Sequence, residues 1–403
     1  MAGTLAAGAE ELLIALQTPA PRGFVGIPTL LWGQPGEGKT TFVESFSRDD
    51  FPVISLIASI HDPTDFSGLP IHEEGRVRFV PPEWALEFEA TGAGILLLDE
   101  LTTAPPSVQA ALLRVVLERK VGTKSLPKGV RIAAAANPPD AVVGGWDLSP
   151  PLANRFVHLK WHLSGIAFAN ALQEGFAQAA LPAIDPDVHR ESVGYWRLLT
   201  AAFLRRDPSL VHTRPAEGEY AFASPRTWDY AVHLMASCDV LGQSARPGAQ
   251  GSTAFYNLLE GSVGSGAAKA LIGFLKDLRL PDPDKVLDGH EQVNVAKLND
   301  DELYILFCSL SGCLNRRRPD KRGGFLNATL TMLTLVDQVN SLSRVDAVFA
   351  PVRQMARGQL LQKAALAAQQ QRRVKEFQQL TAKVFENTPL AEYVSMLGDM
   401  HDQ

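Results

Sequence analysis

Along the first 165 residues, short apolar runs of strand length alternate with amphipathic stretches and turns, a pattern that predicts strands and helices in alternation. Residues 9–17 carry apolar positions at helical spacing and predict a short helix, followed by a proline-rich turn to Gly23. Residues 29–32, 51–57, 95–98, 131–136 and 156–159 are apolar enough to be buried strands. Residues 69–80 predict a β-hairpin turning at Glu74-Gly75, because Arg76-Val77-Arg78-Phe79 alternates with period two, and Pro81-Pro82-Glu83-Trp84 opens another helix. Residues 105–119 form a helix that starts on prolines, and 121–129 suggest a small hairpin. Beyond 165 the pattern turns mostly helical, with helices expected near 301–314, 325–345 and 352–385. The last of these reads as one amphipathic helix with Leu, Val and Phe on a stripe.

Two of the strands end in chemistry. After 29–32 comes Gly33-Gln34-Pro35-Gly36-Glu37-Gly38-Lys39-Thr40, which fits G-x-x-x-x-G-K-[ST] at every fixed position, and a helix is expected from Thr41. Glycines let backbone N–H groups turn inward around phosphates, and the helix N-terminus adds a favourable dipole. Lys39 would reach the β and γ phosphates, and the Thr40 hydroxyl would ligand Mg²⁺. The run 95–98 ends in Asp99-Glu100, a Walker B arrangement in which Asp99 would hold the Mg²⁺ ion and Glu100 would polarise an attacking water. The strand 131–136 ends at Asn137, either a residue that orients that water or a turn former before Pro138. Arg155 closes a helix end before the next strand. Arg114 and Arg119 lie on the 105–119 helix, where a solvated face is expected and an interface is the sharper reading.

Composition narrows the class. In 403 residues, 46% are hydrophobic and mean hydropathy is −0.01, which suits two or three globular domains with ample core. A net charge of −6 and a pI near 5.9 argue against bulk nucleic-acid binding or a membrane surface. Cys238, Cys308 and Cys313 have no metal-ligand spacing and are too few for a disulfide framework, so a reducing compartment is expected. No stretch approaches the roughly 18 apolar residues of a membrane span. Glu10 and Glu11 interrupt the first apolar segment, so a signal peptide is not expected and a cytoplasmic protein is. His61 and His72 lack metal spacing. The one dense basic run, 315–322, reads as a solvated loop or as a contact for an acidic partner.

The order of these parts resembles the MoxR-like group of AAA+ ATPases, the helix-2-insert type. The matching stretches are GQPGEGKT, DPTDFSGLP, VRFVPPEWA, ILLLDELTTAPPSVQAALLRVVLERKVG, IAAAANPPD and PLANRF, followed by ASPRTWDYA at 223–231. A softer likeness at Gly261-Ser262-Val263-Gly264 and 280–289 is similar to a subgroup often partnered with von Willebrand factor A-type proteins. The resemblance implies an α/β AAA+ core over 1–165, a helical lid over 166–290 and a helical C-terminal region over 291–403. It implies ATP and Mg²⁺ held by Gly33, Gln34, Pro35, Gly36, Glu37, Gly38, Lys39, Thr40, Thr41 and Asp99, with Glu100 and Asn137 acting in the same subunit. Ser224 would cap a helix on which Arg226 is the cis sensor-2 arginine, and Arg155 would be the finger offered to a neighbouring subunit. It further implies a homo-oligomeric ring, expected to be a hexamer, that remodels or matures a client protein. No aromatic pore-loop motif is evident, which weakens threading as its mechanism. A nucleic-acid-associated or defence-type AAA+ motor, a monomeric P-loop kinase and a non-hydrolysing scaffold are the rival readings.

Overall fold

The computed structural model describes residues 6–385 apart from 74, 139–144, 176–178, 216–217, 247–249, 279, 321–322 and 358–359. Glu74 of the expected hairpin turn, Asp140, Lys321 and Arg322 of the quoted stretches, and residues 386–403 therefore lie outside the described residues. The chain divides into two compact units, residues 1–275 and 276–403.

The first unit alternates helix and strand. Its elements are α1 (Ala9–Gln17), β1 (Thr29–Trp32), α2 (Lys39–Glu44), β2 (Val53–Ile57), α3 (Pro63–Ser67), β3 (Leu69–Glu73), β4 (Arg76–Val80), α4 (Glu83–Thr91) and β5 (Ala93–Asp99). Then come α5 (Pro106–Glu118), β6 (Lys120–Val121), β7 (Lys124–Ser125), β8 (Gly129–Ala136), α6 (Pro150–Ala153) and β9 (Val157–Lys160). Helices α7 (Gly165–Glu174), α8 (Pro186–Arg206), α9 (Pro225–Val240), α10 (Thr253–Val263) and α11 (Ser265–Asp277) complete the series.

Five strands form one sheet in the order β2-β5-β8-β1-β9, and every pairing in it is parallel. Register places Leu30 beside Ala134 on one side and His158 on the other, while Leu97 sits between Ser55 and Ala133. A parallel sheet covered on both faces needs unbroken apolar strands, and Ile95–Leu98 and Ile132–Ala136 are buried throughout. Because the strands are parallel, their C-terminal ends share one edge, where crossover loops gather functional groups. The expected hairpins are present as β3 with β4 and as β6 with β7.

The structure corrects the expectation for Arg119. Rather than facing solvent it leaves α5 in the left-handed conformation (φ 54°) and turns inward, 3% exposed. Nη1 donates to Val130 O of β8 at 2.7 Å and Nη2 to Gly26 O at 3.1 Å, so two backbone carbonyls replace water. Burial lowers its pKa to about 10. Arg114 does stay outside, 3.5 Å from Glu118.

The second unit is helical: α12 (Pro283–Leu287), α13 (Asp300–Arg316), α14 (Gly324–Ser341), α15 (Asp346–Arg357), α16 (Leu360–Gln370) and α17 (Val374–Phe385). Leu306, Phe307, Leu326, Val336, Leu361 and Phe385 lie in its core. The helix expected over 352–385 is three helices. Between α16 and α17 the chain makes a Schellman ending, with Arg372 at φ 57°, Arg372 N bonded to Gln369 O and Arg373 N to Ala368 O. No glycine marks that turn, which is why the amphipathic pattern runs through it. Arg317 of the basic run bonds Asp284 and Asp288 at 2.9 and 2.6 Å, so aspartates of its own unit neutralise part of that run.

Gly261 of α10 packs on β9 so closely that a Cβ there would lie 2.2 Å from His158 O. Gly261→Ala is expected to destabilise the first unit by about 1–3 kcal/mol. Thermal unfolding measures this, and an unchanged melting temperature would contradict the packing.

Candidate nucleotide site

The loop between β1 and α2 takes its shape from glycines. Gly36 and Gly38 have φ of 83° and 75°, and a Cβ at either would meet nothing within 4 Å, so glycine is there for the backbone conformation. Gly38 is the N-cap of α2, which makes Lys39 the first helical residue, two earlier than expected, and leaves Thr41 in the first turn. Lys39 is buried, and its ammonium donates to Gly33 O (2.7 Å), Gln34 O (3.0 Å) and Asn137 Oδ1 (3.2 Å). Desolvation lowers its pKa, and the charges of Asp99 and Glu37 oppose that shift.

The Walker B strand ends beside this loop. Thr40 Oγ1 donates to Asp99 Oδ2 at 2.6 Å, and Glu100 N donates to Asp99 Oδ1 at 2.8 Å. A hydroxyl and a carboxylate at one point suit a small hard cation that completes its shell with phosphate and water. Among the described residues no cluster of three His, Cys, Asp or Glu offers a protein cage for a metal. Glu100 stands at φ 53° and ψ 41°, a conformation that costs a non-glycine residue on the order of 1 kcal/mol. Its Oε2 accepts from Ser59 Oγ at 3.2 Å. Ser59 follows β2, and β2 lies next to β5 with Ile57 opposite Asp99. Only that strand order reveals Ser59, and sequence reasoning missed it.

The other two arginines lie elsewhere. Asn154 and Arg155 precede β9, and Thr29 pairs with Val157 while Trp32 pairs with Lys160. Arg155 therefore sits at the edge where strands begin, whereas the phosphate loop, Asp99, Glu100 and Asn137 sit where they end. Along β1 alone that separation is about 10 Å. Arg226, expected at the chain's own phosphates, is on the Arg155 side: its Nη1 donates to Asn154 Oδ1 at 3.1 Å. The cause is the start of α9, where Ser224 caps the helix as expected and also donates to Asn154 Oδ1 at 2.9 Å. Burial first, then the Arg226 charge, lowers the pKa of Arg155, whose Nη1 donates to Pro151 O and whose Nε has no partner among the described residues.

A cavity of about 1310 Å³ opens beside the phosphate loop, between Glu11 of α1, Trp32 and Gln34, Tyr220, and Asn257 of α10. Trp32 stacks on Tyr220 with ring centroids 4.4 Å apart and planes at 10°. Trp32 Nε1 donates to His158 Nδ1 at 3.0 Å, which leaves His158 Nε2 as the donor to Ala153 O at 2.9 Å. Both ring nitrogens are committed to the neutral form. The isolated aromatic residues gave no pattern from which this wall could be read.

A P-loop facing a Walker B carboxylate pair on a parallel sheet of this strand order defines a P-loop nucleoside-triphosphatase core. Residues 28–158 match the family described as "ATPase family associated with various cellular activities (AAA)", and this segment of the chain is similar to MoxR-like AAA+ ATPases. Chaperone MoxR1 of Mycobacterium tuberculosis is 38% identical over 135 residues, 32% of this chain and 33% of that protein. A Nif-specific regulatory protein of Rhizobium etli is 37% identical over 117 residues, 27% of this chain and 20% of that protein. The Psp operon transcriptional activator of Escherichia coli is 37% identical over 119 residues, 27% of this chain and 37% of that protein. The chain thus spans between a fifth and little more than a third of these relatives.

Desolvation depresses the pKa of His158 from 6.5 to about 4, and His189 likewise to about 4. A depressed folded-state value means that the unfolded chain binds more protons between these limits. Stability is full above pH 6.5 and is lost as pH falls towards 4, by up to about 1.4 kcal/mol per pH unit for each histidine. Denaturant melts across this window should show that slope, and His158→Gln should reduce it by one proton equivalent.

Proposed function

We propose that this protein hydrolyses ATP with Mg²⁺ in a homo-oligomeric ring, expected to be hexameric, and that Arg155 and Arg226 of one subunit serve the nucleotide of the next. The observation that carries the reading is the division of the site between two edges of the sheet. Phosphate loop, Asp99, Glu100 and Asn137 lie on one edge, and two crowded guanidiniums lie on the other. A cation pair that far from its own phosphates is useful to an anion presented by a neighbour. Thr40 and Asp99 would hold the Mg²⁺, which when bound neutralises charge on the β and γ phosphates. Lys39 binds those phosphates, Glu100 orients and deprotonates water, and Asn137 fixes Lys39 and faces the same water.

The work driven by hydrolysis is remodelling or maturation of a partner protein, a reading supported by the likeness to a chaperone. A von Willebrand factor A-type protein is the partner class that the sequence resemblance implies. A motor acting on nucleic acid, for which the likeness to transcriptional activators speaks, draws less support from the basic run, since Arg317 is paired internally.

Turnover should rise with protein concentration. Glu100→Gln should bind ATP without turning it over, and Arg155→Ala and Arg226→Ala should each lose about 10³-fold or more. Mixing either arginine variant with Glu100→Gln should restore turnover, because an intact Glu100 then meets an intact arginine across a subunit boundary. Restoration with Arg155→Ala but not with Arg226→Ala would return Arg226 to its own subunit. Turnover independent of concentration and untouched by Arg155→Ala would overturn the shared site.

A further inference from the structure

The phosphate loop carries a carboxylate, and both of its oxygens are occupied. Glu37 Oε2 accepts from the Gln34 backbone N at 3.1 Å, and Oε1 lies 2.9 Å from His162 Nδ1. Glu37 binds as a carboxylate acceptor, so Nδ1 is the donor. Trp161 Nε1 reaches the Glu37 carbonyl at 3.0 Å, so consecutive residues beyond β9 grip the same loop residue at its side chain and its backbone. The fit is tight: a Cβ at Gly33 would meet Trp161 O at 2.7 Å and Glu37 Oε2 at 2.9 Å. His162 is itself fixed by a two-bond bridge to Ala7, at 2.9 and 3.2 Å.

Glu37 stands two residues before Lys39, and its charge helps to keep that ammonium protonated. A negative side chain so near a polyphosphate repels it unless it is turned away and its charge is spread over donors. The Glu37 side chain is 16% exposed and that of His162 67%, so the carboxylate is the sheltered member and the imidazole closes it from outside.

We propose that His162 is a positioning residue for nucleotide binding, holding the Glu37 carboxylate away from the phosphates that the loop receives. The proposal rests on the nucleotide reading of the loop. Removing the imidazole frees Oε1, gives the side chain new rotamers and lets the charge swing towards the phosphates. Harm then comes from an unrestrained carboxylate and not from loss of the histidine as such, which gives the proposal a signature that a plain stability role lacks.

The test is titration of the full chain with a fluorescent ATP analogue and Mg²⁺, beside the melting temperature of the nucleotide-free protein. His162→Ala should weaken binding about fivefold or more, a loss suited to one charge-assisted hydrogen bond on a half-open surface. His162→Asn, which offers an N–H at similar reach, should recover most of it. Adding Glu37→Ala to His162→Ala should bring affinity to that of Glu37→Ala alone, because no carboxylate is left to restrain. Lys39→Ala reports on the nucleotide reading itself. If Lys39→Ala abolishes binding while His162→Ala binds as wild type, the positioning role is wrong and the nucleotide site stands. The role is equally wrong if the losses from His162→Ala and Glu37→Ala simply add, or if His162→Ala lowers the melting temperature in proportion to affinity. A wild-type chain that does not bind the analogue would overturn both readings.

Discussion

The bond from Thr40 to Asp99 decides where chemistry can occur in this chain. It joins the first turn of α2, the helix after β1, to the last residue of β5, and β1 and β5 are the strands that flank β8; a hydrogen bond to an ionised acceptor is among the stronger ones available. The other oxygen of Asp99 takes the amide of Glu100 and so supports the left-handed backbone from which the Glu100 side chain projects. Asn137 arrives at the end of β8, between them, and meets Lys39. Sheet order, loop conformation and the strain at Glu100 thus form one linked arrangement.

The parts legible in the sequence were those whose constraints are local. Gly33 to Thr40 and Asp99-Glu100 are defined by spacing along a few residues, and the strands bearing them are nearly pure apolar runs. Ser59 beside Glu100 and His162 beside Glu37 depend on which strands are neighbours, and an order of β2-β5-β8-β1-β9 is not written in any single segment; Arg226 beside Asn154 depends on where α9 starts against the sheet. The inward turn of Arg119 and the helix break at Arg372 escaped notice for a different reason. Each arginine adopts a left-handed conformation usually given to glycine, so a charged residue stands where the pattern signals no turn.

The two edges of the sheet carry opposite electrostatic characters. One gathers a lysine, a hydroxyl and two carboxylates around a glycine loop, an arrangement suited to holding a charged nucleotide and a cation. The other brings the Arg226 guanidinium, bonded to the Asn154 amide oxygen, near that of Arg155, whose pKa is lowered first by burial and then by the Arg226 charge.

The cavity wall also has a topological meaning. Asn257 Nδ2 donates to Glu11 at 2.6 Å, joining positions 246 residues apart, and the same cavity touches the phosphate loop between them. That bond already closes most of the first unit into a single noncovalent ring of chain, and a molecule filling the cavity would reinforce the closure. Its binding free energy would then be felt as resistance to opening by the whole unit, including segments that never touch it. Occupancy would act as a staple across the fold, released each time the molecule leaves.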